Sequence, residues 1–127
     1  PLINLGNVHA ALGRWPEAED GYRRALRRNP ANPEAMNNLA YSLARQGRDS
    51  EALEWSGKAL DLDPGNPLFA CTRALALLQA GRRDESVALL DGVLRTLPGD
   101  DPLRPDAAAL RERALRAAPG ERVDIQP

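Results

Sequence analysis

The side chains that most often carry catalysis are scarce in this sequence. His9 is its only histidine and Cys71 its only cysteine. A zinc site takes three or four His, Cys or carboxylate ligands, and an activated nucleophile takes an adjacent base. A site built on several histidines or several cysteines is therefore not available, and Cys71 has no base beside it. His9 falls on an apolar helical pattern, in step with Leu43 and Leu77, and reads as a packed or half-buried helix residue. Cys71 has no histidine beside it in the pattern and reads as a small residue on a helix face. The acids Asp100, Asp101 and Asp106 lack the oxygen spacing of a calcium loop and read as a solvated turn leading into a helix. Arg23, Arg24, Arg27 and Arg28 make a basic patch, preceded by Glu17, Glu19 and Asp20. Acids first and bases last is the order a helix dipole prefers. No aromatic side chain interleaves with these arginines, so the patch reads as a solvated outer face and not a nucleic-acid site. The chain is therefore not read as an enzyme, and no metal or cofactor is expected.

A different chemistry lies along one stripe: Asn37, Asn38, Tyr41 and Arg45, at helical steps. Asparagine and tyrosine are poor choices for a merely solvated helix face, where Glu, Lys and Ala do better. Their amides and hydroxyl both donate and accept, which suits the main chain of an extended peptide. The elements that must position this stripe are helical by composition. Ala, Leu and Arg dominate, and aromatics are only 4%, which argues against a β-sandwich. A net charge of −1 provides no field to draw nucleic acid or an anionic membrane. One cysteine excludes an internal disulfide, and the longest apolar run, Ala74 to Leu78, is far too short to span a bilayer. All basic residues but Lys58 are arginine, a bias that points to a GC-rich bacterial genome. The chain opens at Pro1 inside a helical pattern, which reads as a piece of a longer protein.

The organisation is repetitive. Gly13, Gly47 and Gly81 are 34 residues apart, and so are Pro30, Pro64 and Pro98. Glu17, Glu51 and Glu85 keep the step, as do Leu26, Leu60 and Leu94, and the small residues Ala18, Ala52 and Ser86. Within each period, apolar residues recur at three- and four-residue steps, as in Ala35, Met36, Leu39, Ala40, Leu43 and Ala44. Asn32 and Asn66 are N-caps, each followed by a proline at the first helical position. The glycines end the first helix of each pair in a left-handed turn, and the prolines stop the second. Helices are predicted over 2–13, 16–29, 33–46, 49–62, 67–80, 84–97 and 105–118. The domain runs over 1–118, with repeats at 1–32, 33–66 and 67–100 and a capping helix at 105–118. Residues 119–127 are expected to be a disordered tail. The first helix lacks an opening turn, which predicts a further repeat upstream.

A 34-residue period of paired helices resembles the tetratricopeptide repeat. The residues that carry the resemblance are Leu5, Gly6, Gly13, Ala18, Tyr22, Ala25 and Pro30, then Leu39, Ala40, Gly47, Ala52, Ala59 and Pro64. The third copy keeps Ala74, Gly81, Ser86, Leu90, Val93 and Pro98 but has Arg73 where leucine is usual. The resemblance implies an all-α right-handed superhelix whose first helices line a concave surface. It places Asn4, Asn7, Ala10 and Ala11 there from the first repeat, and Asn37, Asn38, Tyr41 and Arg45 from the second. Cys71, Thr72, Leu75, Leu78 and Gln79 follow from the third. One subset of the family grips the C-terminal carboxylate of heat-shock chaperones with two Asn and three basic residues. Asn7 and Asn38 match the two Asn, but Ile3, Leu68 and Thr72 stand at the basic positions, so that ligand is not expected. With Leu68, Leu75 and Leu78 at the far end, the groove is expected to run from polar to apolar. The expected function is a scaffold that holds a peptide segment of a protein partner. The alternatives are a substrate-recruiting or dimerising region of a larger bacterial glycosyltransferase, sulfotransferase or peptidase, or self-association into a homodimer through the exposed terminal repeat. Cytoplasm and periplasm both remain open.

Overall fold

A computed structural model describes residues 2–118 and 120–122, without the side chains of Leu2 and Asn4. Among the described residues there are seven helices and no strand: α1 Leu2–Ala11, α2 Trp15–Arg28, α3 Pro33–Arg45, α4 Asp49–Leu62, α5 Pro67–Gln79, α6 Arg83–Thr96 and α7 Arg104–Arg116. Each predicted helix is present, with ends within two residues of those expected. α1 and α2, α3 and α4, and α5 and α6 pair as hairpins; each pair stacks on the next, and α7 lies against α6 and α5. None of the helices is long and apolar enough to cross a membrane.

Local chemistry sets the hairpins. Gly47 has a φ of 75°, and its N–H bonds to the Ala44 carbonyl at 3.0 Å while the Arg48 N–H bonds back to Leu43 at 3.0 Å. The same closure recurs at Gly13 and Gly81, so all three glycines satisfy the last carbonyls of a helix in a conformation a side chain would strain. Asn32 Oδ1 accepts from the Ala35 N–H, and Asn66 Oδ1 from those of Leu68 and Phe69. Where the two helices of a pair approach, Ala18, Ala52 and Ser86 are fully buried. Ser86 fits the alanine column because its hydroxyl donates to the Ala74 carbonyl at 2.8 Å.

Two placements go beyond the sequence reading. Arg23 is not simply solvated. Its guanidinium donates to Glu19 at 2.7 Å and to Glu51 at 3.1 Å, and Glu19 also accepts from Gln46 and Arg48, so this network ties the first two repeats together. Arg73, which stands where leucine is usual, sends Nη1 to the Leu53 carbonyl of α4, with Ser56 Oγ at 3.5 Å. Gly57 makes room for it, since a Cβ there would lie 3.2 Å from that nitrogen. Of the tail expected to be disordered, 119–127, only 120–122 lies within the described residues. Gly120 turns the chain in the left-handed region, its carbonyl lies against Gly81, and Arg122 Nε donates to Asp49 at 2.8 Å.

Candidate peptide-binding groove

The inner faces of α1, α3, α5 and α7 enclose a groove of about 730 Å³. Because these helices are equivalent in the repeat, groove residues fall in columns 34 apart: Asn38, Thr72 and Asp106 in one, Asn7, Tyr41, Leu75 and Ala109 in another.

The polar end is built on Tyr22 of α2. Its ring is buried against Gly6, where a Cβ would come within 2.6 Å of it. Burial, and then the charge of Glu34, push the Tyr22 phenol above its ordinary value, so it stays protonated and can donate. Its hydroxyl donates to Asn7 Oδ1 at 2.6 Å, and Asn38 Nδ2 approaches the same oxygen at 3.4 Å. With that oxygen occupied, Asn7 Nδ2 is left to donate and Asn38 Oδ1 to accept. Beside them Asn37 is only 4% exposed, and its Oδ1 has no partner among the described residues. Trp15 meets Tyr41 edge to face with ring centroids 5.6 Å apart, and the Arg45 guanidinium lies 5.2 Å from the Trp15 ring centre.

The apolar part is formed by Leu68, Leu75, Leu103 and Leu110. The Thr72 hydroxyl is used within its own helix, donating to the Leu68 carbonyl at 3.2 Å. Burial, then the charge of Asp106, push the Cys71 thiol up to about 11, so it is a protonated wall residue and not a nucleophile.

Of the residues named from the sequence, Asn7, Asn37, Asn38, Tyr41, Thr72 and Leu75 line the groove, with Ala10 and Cys71. The Asn4 side chain lies outside the described residues. Arg45 is held over Trp15 and is not part of the wall, and Ala11 is exposed away from it. Leu78 and Gln79 are corrections. Leu78 is fully buried with Ala114 and Ala117, because α7 docks on that part of α5. Gln79 is buried at the junction with the second repeat, where Nε2 donates to the Ala44 carbonyl at 2.8 Å and to Asp49 at 3.2 Å. The groove therefore does not fade into an apolar end at Leu78. It is closed by α7, which adds Leu103, Asp106, Ala109, Leu110 and Arg113. One more step of 34 from Thr72, Leu75 and Gln79 reaches Asp106, Ala109 and Arg113, so the repeat register was the signal for them. Trp15 and Tyr22 belong to α2, and no register of the first helices marks them.

Stacked helical hairpins with a concave face formed by the first helix of each pair define a superhelical repeat domain. The chain belongs to the tetratricopeptide repeat family: one family model of that description matches residues 3–67, more than half the chain, and a second matches 67–91. Over 39 residues, 31% of the chain, it is 46% identical to the photosystem I assembly protein Ycf3 of Sorghum bicolor; the match spans 23% of that relative. Among solved structures it is similar to the TPR2B domain of yeast Sti1 in its pHsp70 complex, with a TM-score of 0.82 and 20% identity, covering 91% of this chain and 94% of that one. PcrH in complex with the chaperone binding region of PopD gives a TM-score of 0.77 at 20% identity, covering 90% and 88%. The type III secretion translocator chaperone SycD of Yersinia enterocolitica gives 0.78 at 17%, covering 90% and 81%. At these identities the likeness is one of fold.

Proposed function

We propose that this chain is a protein-interaction scaffold that holds an extended segment of a partner in its concave groove. The observation that carries the reading is the Tyr22–Asn7–Asn38 arrangement, which leaves a donor on Asn7 and an acceptor on Asn38 facing the groove. A peptide unit offers the complementary pair, and the orphaned Asn37 Oδ1 can accept from a further N–H. Leu68, Leu75 and Leu110 then take an apolar side chain. Main-chain bonds supply affinity, and the apolar site supplies selectivity. The similar domains of Sti1 and PcrH, seen in complexes with pHsp70 and with a region of PopD, lend support to this use of the fold. The segment is internal and not a free C-terminus. Ile3, Leu68 and Thr72 offer no cation where a carboxylate clamp has one, and Arg113, whose guanidinium lines the wall, shares its helix face with Asp106.

The test begins with a partner captured by the full-length parent protein, its bound segment then synthesised as a peptide. Asn38→Ala is expected to weaken that peptide by about 1–3 kcal/mol, roughly 5- to 150-fold, because its partner group is left buried and unpaired. Arg27→Ala combined with Arg28→Ala on the outer face is expected to change affinity little, since both side chains are exposed and without an ion pair among the described residues. Loss of binding in the arginine pair, with Asn38→Ala unaffected, would move the site to the convex face.

A further inference from the structure

The groove wall that α7 supplies holds a negative charge with no cation to meet it. Leu103, Asp106 and Leu110 are spaced by three and four residues, which puts them on one face, and all three line the groove beside Leu68, Cys71 and Leu75 of α5. The Asp106 carboxylate has no hydrogen bond or ion pair among the described residues. Burial and then the charge of Asp106 push up the Cys71 thiol, so the field of this carboxylate crosses to α5. The neighbouring bases are placed elsewhere. Arg104 donates to the carbonyls of Leu94 and Leu97, and Arg111 to Asp91. Arg113 shares the face but stands two turns on, about 10 Å along the axis. An acid in the first turn suits a helix dipole on any face. Its place in the column of Asn38 and Thr72 is what turns this one to the groove.

Given the groove as the peptide site, on which this rests, we infer that the segment it holds carries a lysine or arginine next but one to its apolar residue. The cation meets Asp106, and the aliphatic stem lies on Leu68 and Leu103. Lysine and arginine combine a stem that covers apolar surface with a charge at its tip, which is what an acid among leucines calls for. In an extended chain, side chains two residues apart point the same way, about 7 Å from each other. Asp106 and Leu110 are one helical turn apart, about 6 Å along the axis. One such pair of side chains therefore serves both, the apolar one against Leu75 and Leu110 and the basic one at Asp106. An acidic side chain in the basic one's place would meet a like charge and press its own carboxylate against leucines.

The test selects short random peptides, capped at both ends, on the immobilised whole chain, and then titrates the selected peptides by calorimetry. They are expected to share a lysine or arginine next but one to an aliphatic residue. Replacing that base with glutamine is expected to weaken binding about three- to tenfold on the parent chain and to make no difference on Asp106→Asn. Asp106→Glu, which keeps the charge, is expected to keep the preference for a base. So is Asp100→Asn, which removes an exposed acid in the turn before α7, off the groove wall. Peptides that weaken on Asn38→Ala but show no preference for a base would overturn the inference and leave the groove reading standing. A preference that survives Asp106→Asn, or that Asp100→Asn removes equally, would do the same. No selected peptide at all, or peptides indifferent to Asn38→Ala, would overturn both.

Discussion

Tyr22→Phe separates the packing of the groove from its hydrogen bonding. The ring stays, buried against Gly6, and only the hydroxyl that holds Asn7 at 2.6 Å is lost. A net hydrogen bond contributes about 0.5–1.5 kcal/mol, and Asn7 is exposed, so water can replace the donor and the low end applies. The melting temperature should fall by only about 2–5 °C for a chain of this size. Binding should suffer more than stability suggests. Without the tyrosine, Asn7 keeps only the long contact to Asn38, and fixing a freed side chain on binding costs about 0.5–1.5 kcal/mol, roughly 2- to 13-fold in affinity. The assays are thermal melting by circular dichroism, calorimetric titration with the partner peptide, and the Asn7 side-chain amide resonances, which should broaden or average. Gly6→Ala is the matching control. Its new Cβ would displace the Tyr22 ring at 2.6 Å, so it should lose about 1–3 kcal/mol of stability by overpacking. Unchanged affinity and unchanged Asn7 amide signals in Tyr22→Phe would refute the claim that this hydroxyl sets the groove's donor.

Two further outcomes concern the frame around the groove. Arg73→Ala is expected to lose about 2–3 kcal/mol in urea unfolding, from the cavity and the lost bond to Leu53; Arg73→Leu should stay within about 1 kcal/mol of the parent, because Leu39 shows that the column buries leucine. If leucine is as damaging as alanine, the guanidinium bond and not the filled volume holds α4 to α5. At Glu19 burial raises the carboxyl pKa, but hydrogen bonds from Arg23 and Gln46 and the charges of Arg23 and Arg48 outweigh it and leave the group below its ordinary 4.5. A depressed folded value means stability that is present above pH 4.5 and lost as pH falls through the lower folded pKa. Glu19→Gln should therefore lower the melting temperature near neutrality and flatten its decline below pH 4.5; an acid limb as steep as the parent's would show that Glu19 does not carry it.

What could be read from the residues was what local chemistry decides. The N-caps at Asn32 and Asn66, the left-handed glycines and the small column at Ala18, Ala52 and Ser86 each follow from a few neighbouring side chains, and they recur with the period. Leu78 and Gln79 were not legible in that way. Both stand on the helix that lines the groove, and whether they face it depends on where a helix far along the chain docks and on the second repeat's Asp49. Arg73 shows the same limit: its column says leucine, but Ser56 and Gly57, small residues on another helix, open the slot its guanidinium takes.

The seventh helix therefore has two roles that the idea of a cap hides. A cap needs only one apolar face, and α7 has it in Ala107, Ala114 and the half-buried Leu110, which cover the third repeat and Leu78. It also sits in the register of a fourth first-helix, so Asp106 continues the column of Asn38 and Thr72, and Ala109 that of Asn7, Tyr41 and Leu75. The polar lining thereby changes character along the groove, from the amides of Asn7, Asn37 and Asn38 to an acid, Asp106, and a base, Arg113. Asp106 and Arg113 stand two helical turns apart on one face, about 10 Å along the axis, close to the span of three residues of extended chain. On the proposed reading, main-chain affinity would gather at the neutral amides, and Asp106 and Arg113 would add charge selection to that of the apolar site.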